Sequence, residues 1–338
     1  MTIQSVDPLS RTEVATGVPI GTRKSALALI QTHHVRDLLQ RAHPDLQFPL
    51  LAMSTQGDKI QDVALSKIGE KALFTKELEV ALEDGRVDLV VHSLKDLPTT
   101  LPAGMGICAM LEREDPRDAV VLNPRHASLG TLDRLPPGSV VGTSSVRRIA
   151  QLRRQFPHLT FADVRGNLNT RLRKLDDPQG TYDALILAVA GMRRMGWADR
   201  ISQILPESTI LHAVGQGALA VECRLEDTRI FQLVKPLVHQ DTQLRCTAER
   251  AVMRELEGGC SVPLGVYTEL SDPTPGARSL RLRACVVSLD GQEYIETEHT
   301  IVLEGTDDLE AAERLGRLVA DKMRRRGASE LLASIRSP

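Results

Sequence analysis

The sequence predicts an α/β protein in three parts: two similar halves of alternating strands and helices with a cleft between them, and a small C-terminal α+β unit with an antiparallel sheet. Three observations predict it. A strand followed by Gly-Thr and a helix start at residues 18–25 returns at residues 139–148, about 120 residues later. Each half then closes on a buried-type strand, at 87–92 and at 183–189. After Gly215-Gln216-Gly217 the alternation stops, and two long segments alternate apolar and polar residues as antiparallel strands do.

The first half opens with a short strand at 18–22, and Ser25 is placed as the N-cap of a helix. Leu27, Ile30, Val35 and Leu38 share one face of that helix. Residues 48–53 form a second strand, and 75–84 a helix closed by Gly85. The strand at 87–92 runs into Ser93-Leu94-Lys95-Asp96-Leu97-Pro98. In the second half, strands at 139–142, 159–164 and 183–189 alternate with helices starting near Val146 and spanning 167–176. Such alternation implies mainly parallel sheets with helices on both faces. In the third part, residues 241–257 form a helix with Leu244, Ala248, Ala251/Val252 and Leu256 on one face. Residues 281–289 and 294–303 are strands, and 308–325 is an amphipathic helix. The expected division is 1–114 with 214–238, then 115–213, then 239–338.

Composition narrows the function. The 338 residues carry a net charge of −2, which provides no overall field for nucleic acid or an anionic membrane. Nine aromatic residues (one Trp, three Tyr, five Phe) are too few for a base-stacking platform. Five cysteines without a Cys-x-x-Cys indicate neither a disulfide framework nor a zinc ribbon. No metal site is expected; His33, His34 and His43 lack partners at ligand spacing and are expected at the surface. Residues 1–18 have no long apolar stretch, so no secretory signal is expected, and a reducing, cytoplasmic location fits.

Cys260 is singular among the thiols. Cys108 and Cys285 lie in apolar runs and read as core, whereas Cys260 lies in Glu-Gly-Gly-Cys-Ser-Val-Pro, a loop framed by two glycines and a proline. That setting suits covalent chemistry. Basic residues cluster where α/β folds bind ligands: Arg23 and Lys24, Arg147 and Arg148, Arg165, Arg171 and Arg173, and Arg193 and Arg194. Any one alone is most simply a solvated surface residue. At equivalent points of two half-repeats they make a site for several carboxylates or phosphates. Asp96, beside Lys95 at the end of a buried strand, is either a proton-handling, cation-stabilising carboxylate or half of a surface pair. Gln216 either touches ligand or belongs to a flexible crossover, and residues 54–71 are either a lid or a surface loop.

Taken together, these segments resemble the porphobilinogen deaminase family. The matching stretches are Gly-Thr-Arg-Lys-Ser (21–25), Ser-Thr-Gln-Gly-Asp (54–58), Phe-Thr-Lys-Glu-Leu (74–78), Val-His-Ser-Leu-Lys-Asp-Leu-Pro (91–98), Gly-Thr-Ser-Ser-Val-Arg-Arg (142–148), Arg-Gly-Asn-Leu-Asn-Thr-Arg (165–171), Val-Gly-Gln-Gly-Ala (214–218) and Glu-Gly-Gly-Cys-Ser-Val-Pro (257–263). They are collinear from about residue 18 to 265.

The resemblance implies a three-domain fold whose first two domains follow the periplasmic-binding-protein architecture. It implies head-to-tail condensation of four porphobilinogen molecules with loss of ammonia, then hydrolytic release of linear hydroxymethylbilane. It implies a dipyrromethane cofactor joined by a thioether to Cys260, with Asp96 as the catalytic carboxylate. Lys95, Ser144, Arg147, Arg148, Asn167 and Arg171 match cofactor-binding positions; Arg23, Ser25, Arg165, Arg194 and Gln216 match substrate-binding ones. A cytoplasmic monomer handing its product to uroporphyrinogen-III synthase is expected. A non-catalytic anion binder is the main rival, but it leaves the loop thiol unexplained. A cysteine-nucleophile enzyme would need a base near Cys260, and none is adjacent in sequence.

Overall fold

A computed structural model describes residues 17–59, 74–256, 262–274, 277–305 and 307–336. The chain begins with β1 (Ile20–Arg23), α1 (Ala26–Ala42), β2 (Leu50–Met53), α2 (Gln56–Lys59), α3 (Lys76–Glu83), β3 (Leu89–Ser93) and β4 (Met105–Met110). It then crosses to β5 (Asp118–Leu122), β6 (Val140–Gly142), α4 (Val146–Gln155), β7 (Thr160–Ala162), α5 (Leu168–Asp176), β8 (Ala184–Ala188), α6 (Val189–Arg194) and β9 (Gln203–Ile204). It returns as β10 (Leu219–Arg224) and α7 (Thr228–Val234). It ends in α8 (Gln240–Glu255), β11 (Leu264–Thr274), β12 (Ala277–Val287), β13 (Tyr294–Leu303), α9 (Asp308–Arg325) and α10 (Ala328–Arg336).

Two five-stranded sheets have the same plan, β2-β1-β3-β10-β4 and β7-β6-β8-β5-β9, beside a three-stranded sheet β11-β12-β13. The α/β fold of two similar units with a small antiparallel C-terminal unit is therefore as the sequence predicts. The sheets are less uniformly parallel than expected. β1 pairs in parallel with β2 and β3, and β6 with β7 and β8, but β10 and β5 run antiparallel to their neighbours. Those two strands arrive by crossing from the other unit, and an antiparallel strand needs no helical return on its own sheet. The two crossovers, residues 111–117 and 205–218, lie side by side. The Leu111 N–H donates to Leu219 O at 3.1 Å, and the Glu114 N–H to Gly217 O at 3.3 Å.

Each unit has its own core. Ile20, Val35, Leu39, Leu89 and Val221 pack in the first, and Val120, Val141, Leu152 and Ile186 in the second. In the third, the alternating Leu280, Leu282, Ala284 and Val286 of β12 face Ala248 and Val252 of α8 and Leu315 and Val319 of α9. The expected apolar face of α1 is displaced. Its buried residues are Gln31, Thr32, Val35 and Leu39, while Ile30 is 38% exposed. The cause is that α1 serves two contacts: Gln31 and Thr32 bond inward to Ser93 and Thr22, and Leu27 lies across from Gly191 of the second unit. His33 and His34 are exposed; His43 is partly buried, its Nε2 bonded to Leu233 O at 2.8 Å. Cys285 is core, and Cys108 donates its thiol to Val221 O at 3.2 Å.

Candidate functional site

The site begins with a carboxylate at the end of a crossover. Asp118, the first residue of β5, is 1% exposed. Opposite it, α4 starts just after β6, with Ser145 as N-cap, so Arg147 and Arg148 fall in its first turn. Both are buried, at 4% and 6% exposure. Arg147 Nη1 donates to Asp118 Oδ2 at 2.7 Å and to Leu211 O at 2.7 Å. Arg148 donates to Asp118 Oδ1 through Nε at 3.0 Å and Nη2 at 2.7 Å, and to Ile186 O at 2.7 Å. Burial alone would raise the Asp118 carboxyl, but the charges of Arg147 and Arg148 outweigh it and hold the group well below the usual carboxylate range. Arg147 Nε is buried and finds no acceptor among the described residues.

Gln216 joins the two units at this point. Its Nε2 donates to Asp118 Oδ1 at 2.9 Å and Pro116 O at 2.6 Å, while its Oε1 accepts Lys95 Nζ at 3.5 Å. Lys95 and Asp96 lie in a 3₁₀ turn, Leu94–Asp96, directly after β3. Below it, buried His92 holds Glu222 at 2.9 Å and fixes the strand from which the turn springs. Burial pulls the Lys95 ammonium down to about 8; Asp96 and Asp118 work against that, and Arg148 and Arg147 with it. The first unit's lysine is thus within electrostatic reach of the second unit's arginines.

Arg171 completes the cluster. Burial lowers it to about 10, the charges of Arg148 and Arg165 add to the fall, and Asp96 opposes it. Its Nε donates to Gly166 O at 2.9 Å. Lys95, Arg147, Arg148, Arg165 and Arg171 therefore share one neighbourhood with two carboxylates, Asp96 and Asp118. Among the described residues that share this neighbourhood, cationic side chains outnumber carboxylates, and Arg148 and Arg171 are held there with their charge disfavoured by burial.

Other sequence-predicted residues lie around this centre with local tasks. Ser25 caps α1 by accepting the Ala28 N–H at 3.4 Å. Asn167 caps α5 by accepting the Thr170 N–H at 3.0 Å. Ser144 Oγ donates to Val164 O at 2.9 Å and accepts the Val164 N–H at 3.1 Å, tying the end of β6 to the segment after β7. Arg23 stacks on Phe74 with its guanidinium 4.4 Å from the ring centre. Arg194 donates to Gly217 O at 2.7 Å and so rests on a crossover. Cys260 and residues 60–71 of the expected lid lie outside the described residues.

Sequence reasoning missed Asp118 and the buried junction behind it. Arg113 donates to Glu249 of α8 at 2.7 and 3.0 Å and to Gln216 O at 2.8 Å. Glu249 also accepts the Gly215 N–H at 2.9 Å and Thr268 Oγ1 at 2.6 Å. The Arg113 charge outweighs the burial of Glu249 and takes its carboxyl down to about 2. The sequence holds one signal for this junction: Arg113-Glu114-Asp115-Pro116-Arg117-Asp118 puts dense charge on a segment bounded by apolar runs.

Fold and site together define an α/β protein of two similar units with a cation-rich junction between them. Family profiles make this particular: "Porphobilinogen deaminase, dipyromethane cofactor binding domain" matches residues 18–232, and "Porphobilinogen deaminase, C-terminal domain" matches 243–325. The chain belongs to the porphobilinogen deaminase family. The porphobilinogen deaminase of Synechococcus elongatus is 56% identical over 318 residues, 94% of this chain and 95% of that protein. That of Gloeobacter violaceus is 56% identical over 319 residues, 94% and 93% of the two chains. Among solved structures, the Bordetella pertussis BvgS periplasmic VFT2 domain has a TM-score of 0.40 at 12% identity, covering 70% of this chain and 92% of that one. The periplasmic aliphatic sulphonate binding protein SsuA from Escherichia coli has a TM-score of 0.34 at 13% identity, covering 72% and 71%. Neither likeness bears on function. No described helix is long and apolar enough to cross a membrane.

Proposed function

We propose that this chain condenses four porphobilinogen molecules head to tail, releasing ammonia, and hydrolyses the product off as linear hydroxymethylbilane, primed by a dipyrromethane on Cys260. The observation that carries the reading is the gathering of cations from both units, Lys95, Arg147, Arg148, Arg165 and Arg171, around Asp96 and Asp118. Each pyrrole unit carries an acetate and a propionate, so primer and growing chain bring carboxylates in step with their length. Guanidinium forks suit that need. The buried Arg147 Nε, without a partner among the described residues, is a further donor.

Lys95, Arg147, Arg148 and Arg171, with Ser144 and Asn167 at the loops that position them, would hold the cofactor. The cofactor, when bound, supplies a pyrrole terminus to extend. Arg23, Ser25, Arg165, Arg194 and Gln216 would bind the incoming substrate. Asp96 would stabilise positive charge developing on the substrate as ammonia leaves and take up the pyrrole proton. The paired crossovers would bend as the cleft makes room. We assign the enzyme to the cytoplasm as a monomer, with its product passing to uroporphyrinogen-III synthase.

Intact mass tests the reading. The purified chain should exceed its sequence mass by one dipyrromethane, lose that increment in Cys260→Ala, and gain regular increments on adding porphobilinogen. A bare chain that gains nothing from porphobilinogen overturns it.

A further inference from the structure

Arg250 is buried in α8, 5% exposed, without an ion-pair partner among the described carboxylates. Its guanidinium donates instead to two consecutive backbone carbonyls, Leu97 O at 3.3 Å through Nη1 and Pro98 O at 2.7 Å through Nη2. Those carbonyls belong to the residues directly after the Leu94–Asp96 turn. Among the described residues its hydrogen-bond partners are peptide carbonyls; a buried cation so held is costly, and burial together with the nearby Arg254 lowers this one to about 10. A well-packed apolar residue would serve stability better at such a position. The same stretch of α8 presses on the turn from behind: Cys246, fully buried, packs with Leu94 and Leu97. The residue before Arg250 is Glu249, which grips Gly215 and Arg113 of the crossovers. Ten residues further along the chain is Cys260.

We propose that Arg250 is a positioning residue: it registers the third unit, and with it the helix leading to the Cys260 loop, against the turn that carries Asp96. Two hydrogen bonds from one rigid fork fix both the height and the tilt of the Leu97–Pro98 backbone. Loss of the fork leaves the turn intact but free to shift by a fraction of an ångström relative to whatever Cys260 anchors. This rests on the function proposed above.

The test uses the full-length, cofactor-bearing enzyme and porphobilinogen. Turnover is counted per molecule that carries the dipyrromethane increment. Arg250→Gln should retain that increment, keep KM within about twofold, and lose kcat on the order of 10- to 100-fold, since a small misplacement of reacting groups is enough. Arg250→Lys, whose ammonium reaches both carbonyls from one point, should recover about half of that loss on a logarithmic scale. Amide exchange in residues 94–100 should rise in Arg250→Gln and fall back in Arg250→Lys. Wild-type kcat per loaded molecule in Arg250→Gln, at any cost in thermal stability, overturns the inference. Should Arg250→Gln not fold, Arg250→Lys decides: wild-type kcat with wild-type exchange at 94–100 overturns it, and lowered kcat with raised exchange supports it. An inactive, unloaded wild type overturns the functional reading instead.

Discussion

Asp118 takes two donors of Arg148 on a single oxygen, Nε at 3.0 Å and Nη2 at 2.7 Å, while its other oxygen accepts Arg147. The carboxylate is therefore the counter-charge for two buried arginines. Asp118→Asn would keep the shape and leave both cations unpaired, a loss of about 3–5 kcal/mol in urea unfolding. The carboxyl is held well below its unfolded value, so its contribution is complete above the unfolded pKa of about 4 and fades as pH falls below it. Acid unfolding of Asp118→Asn should accordingly lack that share of the pH dependence; an unchanged acid limb in the variant would contradict the pairing.

Asp96 lies in the same neighbourhood as Lys95 and Arg171, and its charge opposes the lowering of both. Asp96→Asn should fold, keep the dipyrromethane mass increment, and lose turnover by roughly 10²–10³. Near-normal turnover would remove Asp96 from the chemistry.

Lys95 is poised to lose its proton at about 8, below its ordinary value. Its attraction for a carboxylate is then full below that pH and lost above it. Gain of the dipyrromethane mass increment by the cofactor-free chain should slow as pH climbs through about 8, and Lys95→Arg should flatten that slowing because guanidinium stays charged. The stability effect has its own window. Between about 8 and 10.5 the unfolded chain holds the proton more firmly than the folded one, so stability rises with pH there.

Gly217 has φ of +91°, and a Cβ built on it would lie 2.2 Å from the Glu114 carbonyl oxygen. Gly217→Ala should cost more than about 2 kcal/mol, because backbone strain adds to a clash with main chain that cannot swing aside. Gly85, with φ of +69° and open space around it, provides the control: Gly85→Ala should cost only about 1 kcal/mol. Thermal melts of the two variants separate strain from clash.

Local signals make much of this legible in the sequence. Ser25 caps α1 as its place before the apolar-periodic stretch predicts, and Asn167 opens the helix expected over 167–176. α9 spans the amphipathic stretch with its bounds at Asp308 and Arg325. β4, β5 and β10 are not legible as strands because none carries a clean period-2 alternation and their apolar runs read equally well as other core segments. β11 escapes for a different reason: polar Ser271-Asp272-Pro273-Thr274 masks its end. At the site, the arginines stand out through their clustering. Asp118 does not, because its partners Arg147, Arg148 and Gln216 lie 29, 30 and 98 residues away and no local pattern joins them. Arg250 is hidden for a different reason: its partners are backbone carbonyls, which no side-chain motif encodes.

The position of β10 sets an order of events at the ribosome. It is the strand between β3 and β4, and β4 pairs with β10 alone in its sheet. Yet β10 follows the whole second unit in the chain. At synthesis rates of roughly 5–20 residues per second, the roughly one hundred residues between β4 and β10 take on the order of 5–20 s to emerge. Throughout that interval β3 has an open edge and β4 has no partner, while the second unit gains all five of its strands before the interval ends. The domain made first is thus the domain finished later, and a nascent chain stalled before residue 219 presents an unpaired strand to whatever meets it.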